Sequence, residues 1–250
     1  MRLINSNRIN IEALLKVLIL LGFAAFFLMT IQIGSVKYYV HPRIVPYMKF
    51  AIAAMGLISL FLAGDILRPR RRKTNLIVYM IFIIPLTAAF VFPGRSIESA
   101  SSYNFQISDN YSSDNDITTP DNKDTGLSLV GDTVIMDDEN FVGWYDELFI
   151  NQDKYIGKKI EVVGFVFRME DFDKNHFVPA RFMMACCAAD AQPAGFLCRY
   201  EKASEFKDNT WVKVTGVIGQ DIIRNQKMPV IIAESVEEVE KPENEYVYAF

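Results

Sequence analysis

Long apolar runs separated by short polar ones dominate the first 94 residues of the 250-residue chain. Residues 17–36 and 74–94 carry no charged side chain, and a middle run at residues 50–64 has 15 uncharged positions. A helix of about 20 apolar residues crosses a hydrocarbon core of about 30 Å. We therefore predict a transmembrane anchor of about three helices at residues 1–94, whose middle helix crosses only if Lys49 extends its ammonium group to the interface.

A polar segment at residues 95–128 follows the apolar region. It is rich in Ser, Asp and Asn and poor in aliphatic side chains. Such a composition cannot bury enough apolar surface to offset the entropy lost on ordering, so the segment is predicted to be a flexible linker.

Residues 129–250 show the pattern of a small β domain. Short runs enriched in Val, Ile and Phe are bounded by turn residues, which predicts strands near residues 129–136, 159–169, 177–187, 195–200, 210–218 and 228–239. The acidic residues 137–140 predict the start of a short helix through Phe149, and residues 200–208 fit a further helix. Gly164 and Gly216 lie in the middle of their runs, which indicates a bend, a bulge or a close backbone approach.

Short strands with one helix and two bent positions favour a small, partly open barrel of the OB type. An SH3-like barrel or a two-sheet sandwich is the alternative. The predicted fold class is therefore α + β, with N-terminal transmembrane helices followed by an all-β, OB-like head at residues 129–250.

Charge divides the chain in the same region as hydropathy. Residues 1–100 contain 12 Lys and Arg against 3 Asp and Glu, whereas residues 101–250 contain 14 against 27. Five positive residues cluster at residues 68–73, and such clusters between membrane spans stay in the cytoplasm. Three crossings then place the head outside the cell, in a multi-pass protein of the lipid bilayer. The acidic head lacks the basic footprint that nucleic acid requires, so nucleic acid is not an expected partner.

All three cysteines fall within 13 residues, at Cys186, Cys187 and Cys198. Asp190 follows the adjacent pair, and His176 lies ten residues before it. Thiolate, imidazole and carboxylate groups are ligands of zinc and of other transition metals. These five residues are therefore the candidate metal ligands.

The expected geometry of these ligands depends on where the strand at residues 177–187 ends. Within a strand, Cys186 and Cys187 point to opposite faces, so both reach one ion only if the strand ends or bulges there. A hairpin that turns at residues 192–195 would bring Cys198 beside the pair.

Two alternatives to metal binding remain open for the cysteines. They could pack in the core as small apolar side chains, or they could cycle between thiol and disulfide in a redox protein. No Ser-His-Asp arrangement is evident, and we expect no enzyme.

Three segments carry a family resemblance: residues 155–166 (YIGKKIEVVGFV), 180–182 (ARF) and 186–191 (CCAADA). Together with the apolar N-terminal region and the polar linker, they resemble the YcgQ-like accessory subunits of the bacterial two-component YcgR/YcgQ permease pair. The resemblance implies a membrane protein that works beside a separate, multi-span YcgR-like permease subunit. It also implies a link to transition-metal handling, zinc especially, and favours a site role for the cysteine pair and Asp190.

The resulting hypothesis is an accessory subunit of a membrane permease complex. Its extracytoplasmic head would bind or present a substrate such as a zinc ion, and no other cofactor is expected. A membrane-anchored thiol/disulfide redox protein and a structural scaffold for the permease are the alternatives.

Overall fold

The computed structural model describes residues 10–68, 77–91, 127, 129–223 and 225–249. They belong to two compact units, which divide after residue 95. The expected linker lies outside the described residues except at Leu127, and so do the positive residues 70–73.

The N-terminal unit contains two long apolar helices: α1 (Ile11–Ile33) and α2 (Val45–Ala63). α1 begins where the Asn10 side chain accepts a hydrogen bond from the Ala13 N–H at 3.3 Å. It ends at Gly34, whose φ of 77° is left-handed. Both helices are long and apolar enough to cross a membrane, and few of their side chains are buried, which suits lipid better than water.

Among the described residues, the third apolar helix has fewer residues than α1 and α2. α3 (Ile77–Val91) has 15 residues and contains Pro85. At about 1.5 Å per residue it extends about 22 Å, less than a hydrocarbon core of about 30 Å. Among the described residues, therefore, two helices reach crossing length, fewer than the expected number of about three. The apolar run at residues 50–64 lies in a helix of crossing length because α2 already begins at Val45 and includes Lys49.

The C-terminal unit is a closed five-stranded β-barrel with three further strands. The barrel consists of β2 (Lys159–Phe167), β3 (His176–Met184), β5 (Leu197–Arg199), β6 (Trp211–Ile223) and β7 (Gln226–Glu238), and the further strands are β1 (Thr133–Met136), β4 (Gln192–Ala194) and β8 (Tyr246–Tyr248).

Hydrogen bonding runs around the barrel in the order β2, β6, β7, β5, β3 and back to β2. Only the β5–β7 contact of this ring is parallel, and the other four are antiparallel. A closed five-stranded ring agrees with the expected small barrel of the OB type rather than with a two-sheet sandwich.

The helix expected after residues 137–140 is confirmed as α4 (Phe141–Ile150). Its Phe141, Trp144 and Leu148 follow the spacing of one helix face and are buried in the same core as the barrel strands.

The helix expected at residues 200–208 is wrong, since the structure has only a single 3₁₀ turn there, at Ala203–Glu205. The guanidinium of Arg168 donates to the carbonyl oxygens of Ala203 and Phe206 at 2.5 and 3.0 Å. Those two carbonyls are thereby held by a side chain and not by a continuing helix.

Two glycines lie at points of close backbone approach, as the sequence predicted. A Cβ on Gly164 of β2 would lie 2.5 Å from the carbonyl carbon of Pro179 on β3. A Cβ on Gly216 of β6 would overlap the carbonyl oxygen of Ile232 on β7. The β6–β7 register also shifts between Thr215 and Gly216, which marks a β-bulge. Neither position has room for a side chain.

Replacing Gly164 by Ala is expected to lower the free energy of unfolding by about 1–3 kcal/mol, because the new methyl group meets backbone that cannot rotate away. Gly219→Ala is the matched control in β6, since its Cβ would meet side-chain atoms and no backbone: Ile232 Cδ1 at 3.1 Å and Val230 Cγ2 at 3.4 Å. Unfolding of the full chain in detergent, followed by Trp144 and Trp211 fluorescence, measures both variants. Equal midpoints would contradict the tight approach of β2 to β3.

Candidate functional site

β3 is shared between the barrel and a small second sheet, and this places the cysteine pair. Residues 176–180 of β3 pair with β5 and β2 in the barrel. Its last residues pair with β4 on one side and, in parallel, with β8 on the other. β3 and β4 thus form an antiparallel hairpin in which Met183 lies opposite Gln192, and residues 185–191 are its loop.

This hairpin corrects two expectations. The strand ends at Met184 and not at residue 187, so Cys186 and Cys187 lie in a loop where both thiols can turn to the same side. Residues 192–194 are strand β4 and not the turn. The turn is the cysteine segment itself.

Asp190 holds the cysteine loop in shape. Its Oδ1 accepts a hydrogen bond from the Ala185 N–H at 2.9 Å, and its Oδ2 accepts from the N–H groups of Cys186 and Cys187 at 2.8 and 3.1 Å. The Cys187 side chain in turn accepts from the Asp190 N–H, which completes a capping box on the 3₁₀ turn Ala188–Asp190. One carboxylate thereby satisfies three backbone donors that the loop would otherwise leave unpaired.

The two thiols and the carboxylate are close enough to share a ligand. The Sγ atoms of Cys186 and Cys187 are 3.6 Å apart, and each lies within 4.8 Å of a carboxylate oxygen of Asp190. Cys186 is exposed and Cys187 is half-buried. The alternative in which the pair packs as core side chains therefore does not describe this loop.

The Cys186 thiol and the Asp190 carboxyl group shift each other's pKa in opposite directions. The hydrogen bond from the Cys186 thiol to Asp190, and then the one between the two thiols, raise the pKa of Cys186 to about 11. Partial burial by itself raises the pKa of Asp190, but hydrogen bonds from the Cys186 thiol and from the backbone outweigh it, so the pKa of this carboxyl group is lowered. The site therefore holds an ionised carboxylate against a protonated Cys186 thiol at neutral pH.

Cys198 does not join the pair. It lies on β5 and pairs with Phe177, which is seven residues before the last residue of β3. Its side chain is fully buried in the barrel core. Burial raises the pKa of its thiol. The core interpretation of the cysteines thus applies to Cys198 alone, and the expectation that the hairpin brings it beside the pair is corrected by the register.

His176 does not join the pair either. It is the first residue of β3 and pairs with Arg199, whereas the cysteine loop follows the last residue of that strand. Eight steps of a strand at about 3.3 Å each separate the two ends by roughly 25 Å. Its nearest carboxylate is Asp173, with Nδ1 and Oδ2 3.7 Å apart.

Arg181 supports the site; the sequence placed it in a segment of family resemblance but not among the candidate ligands. It is only 1% exposed, and its guanidinium pairs with Asp138 at 2.7 Å and donates to the Asn244 carbonyl at 2.5 Å. It also lies 5.3 Å from the ring of Trp211. A charged residue in the middle of an apolar strand was the available signal, since a buried charge needs partners. Through these contacts Arg181 anchors β3 where it leaves the barrel.

Apolar N-terminal helices followed by a β-barrel head define a class of two-part, membrane-associated proteins. The chain belongs to the DUF1980 family: the DUF1980 N-terminal domain matches residues 15–104, and the DUF1980 C-terminal domain matches residues 111–249. The second match contains the barrel and the cysteine loop.

Two relatives agree with this assignment. UPF0703 protein YcgQ of Bacillus subtilis (strain 168) is 22% identical over 197 residues, which cover 69% of this chain and 68% of that protein. A Streptococcus mutans protein, named as a candidate subunit of a two-component membrane permease complex, is 29% identical over 112 residues, 44% of this chain and 41% of that protein. The resemblance to the YcgQ-like family is confirmed.

The role of Asp190 can be tested through the reactivity of Cys186. In a Cys187→Ser background, Asp190→Asn should lower the pKa of Cys186 towards its ordinary value, because the carboxylate that favours the protonated thiol is gone. Since the thiolate is the nucleophile, alkylation by iodoacetamide at about pH 8 should then be about tenfold faster.

Mass spectrometry of the alkylated chain measures this rate, and buried Cys198 contributes little to it. The control is Glu201→Gln, which removes an exposed carboxylate outside the cysteine loop. Equal rates with and without Asp190→Asn would contradict the proposed hydrogen bond between the Cys186 thiol and the carboxylate.

Proposed function

We propose that the protein is a membrane-anchored accessory subunit of a permease complex, and that its barrel head binds a borderline or soft cation such as zinc as the conveyed substrate. The observation that carries the proposal is the Cys186–Cys187 pair, one thiol exposed and one half-buried, with Asp190 within 4.8 Å. The assignment to a permease complex is supported by the name of the Streptococcus mutans relative. No catalytic step is proposed for the head.

The donor set favours this class of ion. Thiolate sulfur selects zinc and softer ions over calcium and magnesium, which prefer oxygen ligands. Because the pKa of Cys186 is about 11, the incoming ion must displace its proton. Binding should therefore release protons and weaken as the pH falls, by about tenfold per pH unit for each proton released.

Zinc titration of the full chain in detergent tests the proposal. The double variant Cys186→Ser/Cys187→Ser should lose more affinity than the roughly 10–100-fold that changes of outer-shell groups cost. Cys198→Ala is the matched control, because it removes the buried cysteine of the barrel core and should leave zinc affinity unchanged. Competition with a chromophoric chelator at several pH values measures both affinity and proton release.

Equal zinc affinity in the double variant and the unchanged chain would refute the proposal. A redox role is separated in the same preparation by counting free thiols in protein from oxidised and reduced cells. A cysteine-pair bond that forms and breaks with the condition would favour redox cycling, whereas constant free thiols support metal binding.

We further propose that α3 makes a third crossing and that the head is extracytoplasmic. The uncharged sequence around α3 runs from residue 74 to residue 94, which is 21 residues and enough for a span. The positive cluster at residues 68–73 favours a cytoplasmic position for the segment between α2 and α3. The side on which the head lies is therefore decided by α3.

Reporter fusions test this topology. Alkaline phosphatase, which is active only outside the cytoplasm, should be inactive when fused after residue 73 and active when fused after residue 95 or at the C-terminus. A green fluorescent reporter that folds only in the cytosol should give the reverse pattern. Cytosolic fluorescence from the C-terminal fusion would overturn the third crossing and the extracytoplasmic head.

A further inference from the structure

We propose that Cys186 and Cys187 supply only two corners of a tetrahedral site, and that neutral imidazole nitrogens of the protein receiving the ion complete it. The inference rests on the proposed function and deepens it, since it names the chemistry of the partner. It follows from three observations on the cysteine loop: the distance between the two sulfurs, the hydrogen bonds that Asp190 already accepts, and the exposure of Cys186.

The sulfur spacing fits one edge of a zinc tetrahedron. With a zinc–sulfur distance of about 2.3 Å, two sulfurs at a tetrahedral angle lie about 3.8 Å apart. The Sγ atoms of Cys186 and Cys187 are 3.6 Å apart. The two sulfurs therefore reach this distance with a shift of tenths of an ångström. A linear site would require a sulfur–sulfur distance of about 4.6 Å, twice the metal–sulfur distance.

Asp190 has little capacity left to act as a ligand. A carboxylate offers about four lone-pair directions, and three of those on Asp190 already accept backbone hydrogen bonds within the loop. Full coordination by this carboxylate would release N–H groups that shape the loop. Its stronger contribution is to position the two thiols.

The remaining corners of the site face outward. Within the part of the chain that the structure describes, no fourth His, Cys, Asp or Glu joins the group of Cys186, Cys187 and Asp190. Cys198 and His176 lie elsewhere on the barrel, and Cys186 is exposed. Structural zinc sites are closed by four protein ligands, so a site with two strong ligands and an open face is suited to exchange.

Charge selects the kind of ligand that closes the site. Two thiolates neutralise a divalent ion, and the carboxylate of Asp190, which accepts three backbone N–H groups of the loop, lies beside them. A further thiolate or carboxylate would add charge of the same sign, whereas imidazole brings a nitrogen donor with no charge. The receiving protein is therefore expected to present histidine, and the ion passes by replacement of its open-face ligands.

Cobalt(II) loading of the full chain in detergent tests the inference, because cobalt reports its ligands by absorption. A near-ultraviolet thiolate-to-cobalt band should appear in the unchanged chain and be lost in Cys186→Ser/Cys187→Ser. Added imidazole should strengthen the visible d–d bands several-fold and tighten cobalt binding, whereas acetate at the same concentration should do neither. His176→Gln should respond like the unchanged chain, since that imidazole lies far from the pair.

The outcomes separate the two proposals. A thiolate band that does not respond to imidazole overturns the open-corner site and leaves the proposed metal binding intact. The absence of any thiolate band overturns both. Weaker cobalt binding in His176→Gln that added imidazole restores would show that a histidine of this chain belongs to the site, and it would also overturn the inference.

Discussion

The head depends on the close backbone approach around Pro179 and Ala180 in the middle of β3. A Cβ on Gly164 would lie 2.5 Å from the Pro179 carbonyl carbon, and one on Gly195 would lie 2.8 Å from the Pro179 carbonyl oxygen. Because β3 is approached so closely from two directions, it can pair with β2 to close the barrel and then continue into the small sheet. The position of the cysteine loop is thus set by barrel closure, several residues before the first cysteine.

The carboxylate of Asp190 couples the shape of that loop to its proton affinity. The hydrogen bonds that it accepts from three backbone N–H groups fix the turn. The negative charge of the carboxylate also favours the protonated form of the Cys186 thiol. A loop shaped in this way favours the protonated and weakly nucleophilic form of its thiol.

Local features of the head could be predicted from sequence because their causes are local. Gly164 and Gly216 interrupt apolar runs, and the acidic start of α4 precedes a clear helical stripe. The end of β3 could not be predicted, since the apolar pattern continues through both cysteines while the strand stops at Met184. The stop depends on Asp190, which forms the turn through hydrogen bonds that no hydropathy pattern contains.

The spatial grouping of the candidate ligands was predicted only in part. Nearness in sequence brought Asp190 to the pair correctly, because a tight turn keeps close neighbours together. Cys198 and His176 depend on strand register, and β5 pairs with the first residues of β3 and not with its last. The three-residue strands β4 and β8 were missed, because so short a run carries no readable alternation.

The two units share a deficit that bears on the proposed function. The described helices present almost wholly apolar surfaces and few polar side chains that could line a path for an ion. The head offers two strong ligands where a closed zinc site needs four. A chain that conveyed ions alone would need both a polar path and a release step. On the proposed function, a partner with its own spans and histidine ligands would supply both.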